Sequence, residues 1–158
     1  MNRVKPPAAV RATDMPARNT TIYPAEYAGV LQGREKRTLG DLFGLGQFGV
    51  NLTALAPGSW SSQRHWHEME DEFIYVLDGE ITLVDDAGEH LLTPGMCAGF
   101  KAGVANGHHL VNNSSRSATY LEIGTRSPDE RAHYPEADMS GMKRDGKWTL
   151  TRKDGSAF

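Results

Sequence analysis

A single cysteine, Cys97, stands among 158 residues, which excludes an intrachain disulfide and any paired-cysteine metal or redox motif. No window reaches the ~18 uninterrupted apolar residues that a membrane-spanning helix requires. Neither sign of charge dominates. Seventeen Lys and Arg against twenty Asp and Glu leave a formal net charge of −3, whereas nucleic-acid affinity needs a clustered basic excess. The opening residues contain Pro6 and Pro7 and no apolar h-region, so no secretory signal is expected. No long segment carries helical period either, which disfavours a βαβ architecture. These absences point to a soluble, cytoplasmic protein with no nucleic-acid or membrane partner.

What the chain does have is turns. Seventeen glycines and eight prolines punctuate short stretches of strand-like residues. Phe48, Val50, Leu52 and Ala54 alternate with Gly49, Asn51 and Thr53, the period of a strand with one buried face. Further strands are expected over 60–67, 72–77, 80–84, 89–92, 96–100, 107–111 and 118–125. Asp78-Gly79 reads as a hairpin turn, and Asp85 to Gly88 and Pro94-Gly95 as further turns. Eight short strands at this spacing imply an all-β sandwich or barrel. Residues 1–22 read as an arm, 23–127 as the barrel with its lead-in, and 128–158 as an extension that adds a strand or ribbon at a sheet edge. Arg34 to Arg37 reads as a solvated loop.

Four of the six histidines fall into two groups, His65 with His67 and His108 with His109. Residues two apart in a strand share a face, so His65 and His67 present two imidazoles side by side while Trp66 points away. Glu72 opens the next strand and is free to turn toward them. Imidazole nitrogens and a carboxylate oxygen suit a first-row divalent ion such as Zn, Fe, Mn or Ni. Such a cation would offset most of the cost of burying them together.

Gly58, His65-Trp66-His67, Glu72 and Gly79 resemble the first signature of the cupin superfamily. Gly95, Lys101-Ala102-Gly103, His108 and Asn112 are similar to the second, with Lys101 in place of the usual Pro and a loop two residues longer. The resemblance extends over most of the chain from Tyr23, including Phe48 to Leu52, Tyr120 to Arg126 and Tyr134 to Met139, and is closest to small single-domain bacterial cupins. It implies a cupin double-stranded β-helix, a jelly-roll barrel, with an N-terminal arm and a C-terminal extension. It also implies one divalent metal held by His65, His67, Glu72 and His108; without the longer loop, Asn106 would take the fourth place.

Gln63 shares the phase of His65 and His67 and is expected to line the pocket, as is Tyr120; Glu122, in phase with Tyr120, is a candidate acid or base. His109 is expected to face away from His108, Glu70 and Asp71 to edge the hairpin, and Cys97 to be packed in the core. Strand 72–77 is apolar on both faces, which calls for cover on both: one lines the barrel, and the other needs the N-terminal arm, the C-terminal tail or another subunit, so a homodimer with the extensions exchanged or packed across it is expected. The implied function is that of a metal-binding protein acting on a small oxygen-bearing molecule, acid or sugar-like, as an isomerase, lyase, hydrolase or dioxygenase. The alternative is a non-catalytic small-molecule binding or sensing module.

Overall fold

The computed structural model describes residues 6–158; the first five residues of the expected arm lie outside them. Between the short helices α1 (Ala25–Ala28) and α2 (Leu39–Leu42) runs β1 (Arg34–Thr38). There follow β2 (Phe48–Leu55), β3 (Trp66–His67), β4 (Glu72–Asp78), β5 (Ile81–Asp85), β6 (Gly88–Leu92), β7 (Cys97–Phe100), β8 (His109–Val111) and β9 (Ala118–Thr125). The extension adds β10 (Glu130–His133), β11 (Ser140–Arg144) and β12 (Lys147–Thr151). Every ladder is antiparallel, in three sheets ordered β1-β2-β9-β4-β7, β6-β5-β8 and β12-β11-β10-β3. The all-β barrel architecture is as expected. Among the described residues no helix is long and apolar enough to cross a membrane.

The core lies between the five-stranded and three-stranded sheets. Leu55, Ile74, Val76 and Ala118 from one meet Ile81, Leu83, Leu92 and Leu110 from the other. A second cluster, Ala132, Tyr134, Ala137 and Met139, packs against Tyr23 and Tyr27 of the lead-in and Trp148 and Leu150 of β12. The extension is thus no loose ribbon. Its strand β10 pairs with β3, setting Ala132 opposite His67 and His133 opposite Trp66.

Four expectations need correction. Arg34 to Arg37 is not a solvated loop but most of β1, paired with β2 along its whole length. Polar residues fill both faces of this strand because one faces a polar cavity and the other solvent. In β2 the apolar alternation marks the outer face: Thr53 and Leu55 are buried in the barrel, while Phe48 is 40% exposed. The Asp78-Gly79 turn does not close a hairpin, since β4 pairs with β7 and β9 while β5 pairs with β6 and β8. It carries the chain from one sheet to the other. Gly79 sits at φ +77°, and a Cβ there would come within 2.7 Å of Ala118, so this position requires glycine. Finally, 60–67 is not a continuous strand. Only Trp66–His67 is regular, with isolated bridges Trp60 to Val111 and His65 to His108.

Candidate metal centre and cavity

The His65–His108 bridge is what assembles the site. The His65 N–H donates to the His108 carbonyl (3.1 Å) and the His108 N–H to the His65 carbonyl (2.9 Å). Residues opposed in an antiparallel pair project to the same side, so both rings enter the barrel. His67 follows two residues on, its ring centroid 4.9 Å from that of His65. Glu72, the first residue of β4, brings its carboxylate up from the facing sheet. Its Oε2 lies 2.8 Å from His108 Nε2 and 3.9 Å from His65 Nε2, and its Oε1 lies 3.8 Å from His67 Nε2.

The rings are held from behind. His65 Nδ1 lies 2.9 Å from the Gln63 carbonyl oxygen and His108 Nδ1 3.2 Å from that of Asn106. A carbonyl accepts only from a protonated Nδ1, which leaves Nε2 of a neutral imidazole bare. At His65 a bare Nε2 then faces a carboxylate oxygen, while at His108 a proton or a metal cation must sit between Nε2 and Glu72 Oε2. Burial drives the His65 pKa down to about 4, favouring the neutral ring. Burial pushes the Glu72 carboxyl up, but the hydrogen bond with His108 and the surrounding imidazoles outweigh it and hold the group ionised. Donors bound at ~2.1 Å to one ion sit on the order of 3 Å apart, close to the separations found here. The set fits a divalent first-row ion, and His65, His67 and Glu72 alone form a group able to hold one.

Phe100 stacks on His108 (centroids 3.5 Å apart) and Tyr134 on His65 (5.7 Å), so aromatic faces wall the centre. It opens on a cavity of ≈ 180 Å³ lined also by Lys36, Ile74, Tyr120 and Glu122. Burial raises the pKa of Tyr120 and Tyr134, keeping both hydroxyls neutral. Lys36 Nζ donates to Glu122 Oε1 (2.6 Å), which also accepts from Asn51 Nδ2 (3.1 Å).

Of the residues singled out from sequence, His65, Glu72, His108, Tyr120 and Glu122 come together around this space, with His67 in an adjoining hollow that Glu72 and His108 also line. Asn106 does not take the place of His108: its side chain is engaged at the β5–β6 turn, accepting from the Asp86 N–H and donating to Asp85. Gln63 is turned away as well. Its amide donates to the Tyr27 carbonyl (2.9 Å), and it lines an outer hollow with Trp60 and Arg64. His109 is buried rather than on an outer face, edge-on to Trp60 at 4.4 Å. Cys97 is exposed, not packed, because its row on edge strand β7 faces outward. Asp71 accepts from the Ala102 N–H and Glu70 pairs with Lys143.

A second group, His67, Glu70 and Glu130, has donor atoms close together. Its charges are already answered, Glu70 by Lys143 and Glu130 by the N–H groups of Glu68, Met69 and Arg131. Sequence reasoning missed Lys36 and Asn51, whose only signal is that they share an inward phase once β1 and β2 are paired.

Residues 51–124 match the cupin domain family model. A cupin-superfamily sugar phosphate isomerase from Silicibacter pomeroyi is 44% identical, with 95% of this chain and 96% of that chain covered and a TM-score of 0.90. The chain belongs to the cupin superfamily. A candidate sugar phosphate isomerase from Acidithiobacillus ferrooxidans is 30% identical over 78% of this cupin and 80% of that chain (TM-score 0.72). The polyketide cyclase RemF from Streptomyces resistomycificus is 23% identical over 74% and 78%, with a TM-score of 0.61, a likeness of fold alone. No curated protein matches the chain.

Proposed function

We propose that this cupin is a metal-dependent isomerase of a small hydroxy-carbonyl compound, with His65, His67, Glu72 and His108 holding one Zn, Fe, Mn or Ni ion. The observation that carries the reading is the convergence of three imidazoles, His65 and His108 anchored to backbone carbonyls and His67 beside them, on the Glu72 carboxylate. A bound divalent ion supplies Lewis-acid polarisation of a carbonyl or hydroxyl oxygen. The chain supplies the rest. Phe100 and Tyr134 exclude water from one side, and Glu122 and Tyr120 stand where a proton on the ligand could be received or returned. A carbon-to-carbon proton shift needs a base distinct from the carboxylate that binds metal, and Glu122 is the further carboxylate in the cavity lining. Among the reaction types open to such a centre, similarity to the Silicibacter protein supports isomerisation. We also propose a homodimer through the outer face of the five-stranded sheet, where Phe48, Phe73, Tyr75 and Leu77 are each about 40% exposed. A contiguous apolar patch is uncommon on a monomer, and paired identical patches are the commonest way to cover one.

Elemental analysis of protein purified without an affinity tag tests the centre. About one transition-metal ion per chain is expected, falling to near zero in Glu72→Ala. A wild-type stoichiometry near zero that added metals do not restore would remove the proposal.

A further inference from the structure

Opposite the histidines, the cavity has a second polar wall that the metal centre does not use. Lys36 from β1, Asn51 from β2 and Glu122 from β9 are linked through one carboxylate oxygen, Glu122 Oε1. Among the described residues Glu122 Oε2 accepts no hydrogen bond. Two residues along the same inward row, Tyr120 is 1% exposed and lines the cavity; its hydroxyl neighbours that of Thr53, opposite it on β2, and neither has another hydrogen-bond partner among the described residues. An unmade hydrogen bond at a buried polar atom is costly, and a barrel built only for stability would put a phenylalanine there.

The chemistry of this wall selects its ligand. Its cation, Lys36, is already neutralised by Glu122, so it offers no surplus charge for a phosphate or carboxylate. It offers donors and acceptors side by side: the Lys36 ammonium, the Tyr120 hydroxyl, and the free oxygen of Glu122, with Ser61 and Ser62 at the border. A ligand hydroxyl is itself one donor and two acceptors, and adjacent hydroxyls match this alternation. The apolar flank of Ile74, Phe100 and Leu110 suits a carbon chain. At ≈ 180 Å³ the cavity lies below the ~300–1,000 Å³ that accept drug-sized ligands.

Resting on the metal reading for the carbonyl end, we infer that Lys36, Tyr120 and Glu122 form a subsite for the adjacent hydroxyls of a short polyhydroxy carbonyl compound.

The test compares two metal-directed probes on zinc-loaded protein by calorimetry: erythronohydroxamate, which carries hydroxyls, and butyrohydroxamate, which does not. The wild type should bind the hydroxylated probe about tenfold more tightly, the worth of one or two net hydrogen bonds. Glu122→Gln and Tyr120→Phe, both near-isosteric, should each erase most of that preference while leaving butyrohydroxamate affinity and zinc content unchanged. Equal affinity in the wild type, or a preference that survives both substitutions, overturns the subsite and leaves the metal centre standing. Protein that takes up neither zinc nor iron, manganese or nickel sinks the metal reading alone. The subsite is then read on the metal-free chain by saturation-transfer NMR with erythritol against 1,4-butanediol. A wild-type signal selective for erythritol that vanishes in both variants supports the subsite, and the absence of such a signal overturns it.

Discussion

The two faces of the five-stranded sheet invert the usual rule at one end of the barrel, while at the other Leu55, Ile74, Val76 and Ala118 face inward and form the core. Inward, Asn51, Thr53, Glu72, Tyr120 and Glu122 crowd polar atoms into the barrel; outward, Phe48, Phe73, Tyr75 and Leu77 leave apolar surface exposed. Alternation along a strand gives the period of burial but not its side. A polar inner face signals a ligand space, and an apolar outer face signals a partner surface. The largest effect should come from breaking the outer half. Phe73→Glu with Tyr75→Glu places two like charges on this surface, and the proposed dimer should become a monomer by light scattering with its metal content intact. A wild type already monomeric at micromolar concentration would refute the dimer.

That inversion also explains what is legible in the sequence alone. His65, His67 and Glu72 are readable because their spacing along consecutive strands fixes their face. His108 is readable through the cupin resemblance, and its bridge to His65 gives the physical reason it, and not Asn106, reaches Glu72. Strand β1 is not readable, since Arg34-Glu35-Lys36-Arg37 has no apolar residue to set a phase. Lys36 is hidden along with β1, and Asn51 along with the side of β2. Gln63 fails for a related reason: the segment before His65 bends, so the period of two does not extend back to it.

The inner face carries a pH signature in the metal-free protein. Burial drives His65 to about 4 in the folded state, against ~6.5 unfolded. Between these values the unfolded chain binds more protons, so stability is full above ~6.5 and is lost as the pH falls toward 4. Glu72, also depressed on folding by its imidazole partners once burial is outweighed, adds loss in the same direction at lower pH. The His65 contribution is on the order of 3 kcal/mol. Urea unfolding at pH 7 and pH 5 should therefore differ markedly for the metal-free wild type and much less for His65→Phe. Identical differences would mean that His65 is not the group responsible.

The finest distinction lies among the inner polar groups themselves, between those that serve the fold and those that serve a ligand. Asn112 is 0% exposed and fully used. Its Nδ2 donates to the carbonyls of Leu55 (2.8 Å) and Arg116 (2.7 Å), and its Oδ1 accepts from the Ser114 N–H (3.0 Å) and hydroxyl (2.8 Å). It ties the end of β2 to the turn between β8 and β9. Tyr120 is as deeply buried, yet among the described residues its hydroxyl has no partner beyond the neighbouring Thr53 hydroxyl. Asn112→Ala strands buried backbone acceptors and should lower stability by about 2 kcal/mol, whereas Tyr120→Phe removes only this hydroxyl and should be neutral or slightly stabilising. Thermal unfolding of the two variants at equal metal content measures the contrast. A Tyr120→Phe loss as large as that of Asn112→Ala would assign Tyr120 to the scaffold instead of the cavity.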